Sequence, residues 1–502
     1  MRRYGVLALA MGGLAGWMGV GSAQETPPIV PPPIVAPPIV APPAVLPAPV
    51  PSQPFTDANI VGAADVLAPQ PAAPGAKGSS DTVPLKAVWK KGLYFEGGEN
   101  KDFSIFVGGR VQFDTATYVA TQTLRKNVPG TNPLENGVNF RRVRIDLGGT
   151  IYQHMEYYVQ VDVVNALLLQ TGTNRSADVP AITDLWMAFH EVPYVGNIKV
   201  GNQKPPIGFE HLTSSRFLNF MERSIGFDAM LEGFNNGFQP GITAYDTYMN
   251  KEGTWAFGLF KNTRNIFPWN VGSGELEVTG RVTRLAVDND GGKELVHLGL
   301  GASARQPDEN SQRFRSRLDV RNSPSALSPL LADTGFLSAS EQYIVDPEFA
   351  AVYGPFSMQA EYCASWLVDA TSTVNNKTVN HGLLYYQAAY VEGHYFLTGE
   401  HREYDKDKGV FGRVNPRSPA RWTRDGFCGY GAWQVAIRYS YLNLNSNGVH
   451  GGIVNDVTLG LNWFLNPNTK FQFNYSMADR NVPGTAGDGL IHQFGTRLAW
   501  DF

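Results

Sequence analysis

The sequence predicts an all-β protein, a transmembrane antiparallel β-barrel of about 16 strands (16 to 18) with one loop folded inward as a constriction. Three observations carry that prediction. From about residue 85 to residue 502 the chain runs in segments of roughly ten residues that alternate apolar and polar side chains, the period of a two-faced strand. No apolar run reaches the ~18 residues of a membrane-spanning helix, and the mean hydropathy is −0.20. The last segment puts Phe494, Thr496, Leu498, Trp500 and Phe502 on one face and Gln493, Gly495, Arg497 and Asp501 on the other, ending on an aromatic residue.

The elements follow in order. Arg2 and Arg3 precede a short apolar run over 6–20, and Gly21-Ser22-Ala23 supplies small residues before a cut at Gln24, so residues 1–23 read as a signal peptide. A single membrane anchor is the competing reading, but it needs ~20 apolar residues. No Cys lies near the cut, which argues against a lipoprotein. Export removes two of the 41 basic residues and none of the 45 acidic ones, leaving 39 against 45, a net charge of −6. A preference for anions would therefore need basic residues gathered on one face, and nothing suggests nucleic acid.

Residues 24–84 are Pro/Ala-rich. Pro27-Pro28-Ile29-Val30 recurs at 32–35 and 37–40 and loosely at 42–45, so 27–54 reads as an extended polyproline II spacer within a disordered linker. It serves as a passive tether or as an arm for a periplasmic partner.

The barrel domain spans 85–502. Its first strand, 103–118, sets Phe103, Ile105, Val107, Val111 and Phe113 against Ser104, Gly108, Arg110, Gln112 and Asp114. In 142–151, Val143, Ile145 and Leu147 oppose Arg142, Arg144 and Asp146; in 155–163, Tyr157, Val159 and Val161 oppose Glu156, Gln160 and Asp162. Further candidates are 182–190, 197–204, 238–246, 255–262, 277–287, 295–305, 312–318, 342–353, 356–367, 383–399, 431–443, 454–464, 469–476 and 491–502, about 17 in all.

A soluble sandwich would turn the apolar faces into a core, whereas an outer-membrane barrel turns them to lipid and lines a lumen with the polar ones. Strand length favours the barrel, since about nine to eleven residues cross a bilayer when tilted. Aromatics such as Tyr157, Trp186, Phe189, Tyr390, Tyr439, Tyr441, Trp463 and Trp500 lie toward strand ends, where interfacial girdles belong. The terminal strand ending in Phe502 looks like a signal to the barrel-assembly machinery. About 16 strands leave an aqueous channel, so passive diffusion of small solutes is the default function.

The domain also resembles the phosphate-selective porins O and P. The resemblance rests on Gly108-Gly109-Arg110-Val111-Gln112-Phe113-Asp114, Phe140-Arg141-Arg142-Val143-Arg144, and Val200-Gly201-Asn202-Gln203-Lys204-Pro205-Pro206 continuing through Leu212-Thr213-Ser214-Ser215 to Phe220-Met221-Glu222-Arg223-Ser224. It continues in Tyr395 to Arg402, in Phe411-Gly412-Arg413-Val414, in Gly431-Ala432-Trp433 and in Arg438-Tyr439-Ser440-Tyr441. It implies a 16-stranded homotrimeric outer-membrane channel in which Arg and Lys guide anions past an inward loop at 205–224. Arg216 and Arg223 would be that loop's cations.

Period-two phasing independently puts Arg110, Arg142, Arg144, Lys199, Arg281, Arg305 and Arg497 on polar faces. A charge in lipid costs roughly 2 to 4 kcal/mol at mid-depth, so these cations belong in the lumen, and Lys204 follows at the strand's end. Arg141 is out of phase and is expected near an interface. Guanidinium groups grip phosphate or carboxylate oxygens with paired donors and can serve as transient anion sites. The competing reading is that Asp114, Asp146, Glu156, Asp162 and Asp184, on the same faces, pair with the arginines as structural ladders. The channel would then be a general diffusion porin.

No catalytic, metal or cofactor motif stands out. Asp405-Lys406-Asp407-Lys408-Gly409 and Asp288-Asn289-Asp290-Gly291-Gly292 have a faint calcium-loop look but read as inter-strand turns. His211 lies near Ser214 and Ser215 without a hydrolase signature. Cys363 and Cys428 form a candidate disulfide in an oxidising compartment. Against the channel stand two other classes: a structural barrel tethered through its proline arm, and a barrel enzyme.

Overall fold

The computed structural model describes residues 84–502 except 91, 99–101, 129–133, 172–174, 233–236, 264–274, 323–327 and 483–486, and between 165 and 181 it describes backbone alone. The signal peptide and proline-rich linker lie outside the described residues.

Sixteen antiparallel strands form the wall: β1 (Phe103–Val119), β2 (Gly137–Ile151), β3 (Met155–Thr171), β4 (Arg175–Val192), β5 (Gly196–Gln203), β6 (Gln239–Tyr248), β7 (Gly253–Lys261), β8 (Leu276–Asn289), β9 (Glu294–Arg305), β10 (Glu341–Tyr353), β11 (Phe356–Val374), β12 (Lys377–Phe396), β13 (Ala432–Ser446), β14 (Val449–Asn466), β15 (Thr469–Asn481) and β16 (Gly489–Asp501). Each pairs with the next, and β16 returns to β1 with Arg497 opposite Asp114, so the barrel closes. Closure leaves no unpaired backbone edge in hydrocarbon. A hairpin of Leu85–Trp89 and Leu93–Gly97 continues from the start of β1.

The alternation reads through to the faces. Phe494 and Ile437 are 47% and 55% exposed on the outer wall, while Arg497 and Arg438, facing inward, are each 1% exposed. Short turns at 152–154, 193–195, 249–252, 290–293, 354–355 and 467–468 gather at one end, the periplasmic one by the usual rule for such barrels. The other end carries the longer connections 120–136, 204–238, 262–275 and 306–340, together with two-residue turns at 375–376 and 447–448. At the short-turn end the exception is the 35 residues between β12 and β13 (397–431).

Three expectations change. The candidate strand 312–318 is not part of the wall; Arg315–Arg317 pairs with Leu330–Asp333 in a separate two-stranded sheet within the β9–β10 connection. Its alternation arises because Phe314, Ser316 and Leu318 are all buried inside the barrel, with the Phe314 ring against Tyr386 of the wall and Ser316 donating to the Ile225 backbone oxygen. Trp186 and Tyr390 face the lumen rather than lipid: Lys199 sits over the Trp186 ring at 4.6 Å, and Tyr390 hydrogen-bonds Glu361. Arg141 does not sit at an interface, because Gln112 pairs with Arg142 and Phe113 with Phe140, leaving Arg141 as the extra residue of a β-bulge. The bulge turns Arg141 and Arg142 inward together, and both are buried.

The lumen is partly filled by protein. Segment 204–238, between β5 and β6, turns inward and carries the short helices α1 (Phe209–Leu212) and α2 (Ile225–Met230). Ile225, Phe227 and Met230 pack with Phe314, Leu318 and Val320 of the β9–β10 connection and with Tyr386, Tyr390, Leu442 and Ile491 of the wall. Each such side chain contributes about 1.5–3 kcal/mol on burial, so the long-loop half of the barrel holds a dry core. From the opposite end, 397–431 brings Val410 and Phe411 against Phe209, with the Phe209 and Phe411 rings edge-on at 5.2 Å. The water space is thus narrower than sixteen strands alone would leave.

Candidate functional site: a basic lumen

The described part of segment 204–238 crosses the lumen and is held by polar contacts to the far wall. Glu210 pairs with Arg438 at 3.3 Å, Asn219 donates to Glu392, and Lys470 and Asn462 donate to the backbone oxygens of Leu218 and Asn219. Its hub is Glu222, which takes Arg141 at 2.8 Å, Arg142 at 3.0 Å and Arg497 at 2.9 Å. Burial alone would raise the Glu222 carboxyl, but Arg141, Arg142, Arg321 and Arg497 hold it well below the usual carboxylate range. Arg497 also forks onto Asp114 at 2.7 and 2.6 Å.

Most of the other expected cations are likewise engaged. Arg144 pairs with Asp162 at 2.8 Å, Arg223 with Glu232 at 2.9 Å, Arg281 with Glu348 at 2.7 Å and Arg305 with Glu277 at 3.2 Å. Arg216 pairs with Asp146 and reaches Asp501 at 3.4 Å, and Lys204 lies 3.6 Å from Glu232. Two differ. Arg110 donates to Ser215 Oγ at 2.6 Å, and Lys199 sits over the Trp186 and Tyr245 rings; neither forms an ion pair among the described residues. The cross-strand pairing raised as the competing reading therefore describes much of the wall, though partners such as Glu222 and Glu232 come from the inward segment.

Basic residues that phasing did not bring forward also reach the lumen. Lys470, on β15, shares its inward face with Gln472 and Asn474, so the same period-two rule would have found it. Arg402 and Arg413 come from 397–431, where no periodicity marks them; Arg402 stacks on Phe411 at 4.2 Å and Arg413 pairs with Asp501.

A cavity of about 770 Å³ runs along β2–β8 beneath the inward segment, and twelve of its lining residues are Lys or Arg against six Asp or Glu. A second, small cavity joins Arg110, Arg216, Arg413 and Lys470, with Asp501 as its acidic lining residue.

The weaker motifs resolve into structural roles. Asp288 pairs with Lys406, Asp290 with Lys293 at 3.1 Å and Asp405 with Lys408 at 3.2 Å, so lysines serve both Asp-rich turns. His211 bonds Glu232 at 3.3 Å, and burial with the nearby Lys204 charge pushes it down to about 3, while Ser215 is taken by Arg110. The candidate disulfide is absent: both thiols are free, Cys363 buried and Cys428 exposed. Cys363 lies seven residues along β11 from its short-turn end, roughly 20 Å of strand. Cys428 sits in a hairpin beyond that end, whereas a bridge needs Cα atoms within about 7 Å.

Residues 107–502 match the family model described as phosphate-selective porin O and P. Porin O of Pseudomonas aeruginosa is 25% identical over 429 residues, covering 80% of this chain and 89% of that protein. An uncharacterised protein of Caulobacter vibrioides is 27% identical over 447 residues, 86% of this chain and 79% of that one. Among solved structures, an anion-selective porin from Comamonas acidovorans aligns over 80% of this chain and all of that one, at 11% identity and a TM-score of 0.46. With a family match across almost the whole of a closed sixteen-stranded barrel, the chain belongs to the phosphate-selective porin O and P family and is an outer-membrane channel.

Proposed function

We propose that the channel passively conducts small hydrophilic anions, with phosphate-like or polyphosphate-like oxyanions among them, and that it works as a homotrimer. The observation that carries this is the two-to-one excess of basic over acidic residues around the main cavity, in a chain whose net charge is −4. The cations divide by role. Arg141, Arg142, Arg144, Arg223, Arg281, Arg305 and Arg497 are tied to carboxylates and hold the wall and the inward segment in shape. Arg110, Lys199 and Lys470 form no ion pair with a carboxylate among the described residues, and Arg110 and Lys470 share a small cavity with Arg216 and Arg413. There an oxyanion meets Arg110 and Lys470 without displacing an acid, while Asp501, which pairs with Arg216 and Arg413, competes for those two guanidinium groups and keeps the hold weak enough for release.

Recording single channels across a chloride gradient, with phosphate as a competing solute, tests the proposal. Arg110→Gln combined with Lys470→Gln should preserve discrete conductance steps and lower the anion-to-cation permeability ratio. An unchanged ratio would refute it. The number of paired arginines favours a second reading, a general diffusion channel, which requires chloride, phosphate and a neutral sugar to pass according to size alone. Trimers would appear as a threefold mass by light scattering in detergent.

A further inference from the structure

We infer that Asp346, Glu348 and Glu361 bind one divalent cation, of the calcium type, in the lumenal wall behind the inward segment. Glu348 on β10 and Glu361 on β11 are direct cross-strand partners, and Asp346 lies two residues before Glu348 on the same inward face. Like charges placed opposite one another destabilise a sheet, so this arrangement calls for compensation. All three side chains are buried, and Asp346 is 0% exposed.

Two of the carboxylates are partly served. Arg281 forks onto Glu348, and His297 approaches the same carboxylate at 3.3 Å. Glu361 accepts the Phe209 and Glu210 backbone N–H groups and the Tyr390 hydroxyl. Asp346 differs: among the described residues neither of its buried oxygens has a hydrogen-bond partner. A buried carboxylate with neither a donor nor a counter-ion is strongly disfavoured, so its aim into the other two points to a ligand.

The geometry fits one ion. An oxygen from each residue lies within 4.8 Å of the other two. Calcium–oxygen bonds of about 2.3–2.6 Å allow two ligands on one ion to stand up to about 5 Å apart. An all-oxygen set selects calcium or magnesium over softer metals. Three carboxylates against the single Arg281 leave a formal charge of −2, which a divalent ion cancels. Gly208, at φ +79°, carries the inward segment over the site, and a Cβ there would stand 3.1 Å from Asp346 Oδ2. Because Glu361 also holds the Phe209 and Glu210 amides, the ion would clip the start of that segment to the wall. It would also mask negative charge inside the lumen. The inference does not depend on the anion preference proposed above.

The test uses the full chain purified in detergent without chelator and exchanged into metal-free buffer, then titrated with calcium and with terbium, whose emission Tyr390 can sensitise. Wild type should bind one calcium per chain and lose terbium emission as calcium displaces it. Asp346→Asn should weaken binding by about tenfold or more, since it removes the least compensated ligand charge. Asp405→Asn with Asp407→Asn should leave binding unchanged and exclude the Asp-rich turn as the site. Heat-modifiable migration on a denaturing gel verifies that each variant is folded. Wild type that binds no calcium at millimolar concentration, or folded Asp346→Asn that binds as tightly as wild type, would overturn the inference. If Asp346→Asn does not fold, the wild-type stoichiometry alone decides the matter.

Discussion

Replacing Glu222 by Gln should release the inward segment from the wall. Glu222 accepts five hydrogen bonds from three arginines: 2.8 and 2.9 Å from Arg141, 3.2 and 3.0 Å from Arg142, and 2.9 Å from Arg497. Glutamine keeps one carbonyl oxygen but turns an NH₂ group toward guanidinium donors and removes the charge. Arg497 retains Asp114, and Arg142 retains the Gln112 side-chain oxygen. Removing one partner from a buried ionic cluster costs about 3–5 kcal/mol. At about 1.4 kcal/mol per decade, this shifts the docked-to-released equilibrium by roughly two to three and a half decades. The barrel should stay closed, since its backbone ladder is untouched. Single-channel records should show added open-state noise and faster gating, and limited proteolysis should cut within 204–238. The same change deletes one negative charge from the lumen and should raise anion preference. Quiet records, an intact segment and an unchanged permeability ratio would together refute the role assigned to Glu222.

Acid should have a related effect through the same segment. Although burial alone would raise Glu222, Asp228 and Glu232, facing arginines hold all three below their ordinary values of 4.5, 3.8 and 4.5, so the folded state binds fewer protons than the released one. Their contribution is complete above those values and declines as pH falls below them. Glu210 has the opposite sign: burial and Glu392, against the pull of Arg438, push it up to about 8, so its contribution falls as pH rises from 4.5 toward 8. Channel noise should therefore be least at mildly acidic pH and grow in either direction; a flat profile would contradict this. Thiol labelling under native conditions should modify Cys428 alone, with Cys363 reacting only after denaturation. One mass increment before unfolding and two after it are expected, and a chain with no reactive thiol would contradict the free cysteines.

The wall was legible because each strand obeys one simple rule. Sixteen of the seventeen candidate segments are wall strands, and the inward phase of Arg110, Arg144, Arg281 and Arg497 follows directly from alternation. The exception, 312–318, alternates for another reason: it is packed inside the barrel between the inward segment and the wall, where a buried face and a lipid face look alike in sequence. Arg141 escaped the rule because a bulge adds one residue to β2 and resets the phase.

By itself, then, the sequence determined the barrel, the outward direction of its apolar residues and the inward direction of the in-phase wall arginines such as Arg110, Arg144, Arg281 and Arg497. Only the tertiary structure decided which of those charges stay free. Alternation reports the direction in which a side chain points, whereas its neutralisation depends on what comes to meet it there. Arg497 meets Glu222 across 275 residues of chain, and Arg438 meets Glu210 across 228 and Asp319 across 119. Those carboxylates are carried by loops without periodicity, and their positions are set by the apolar core that the loops build together inside the barrel.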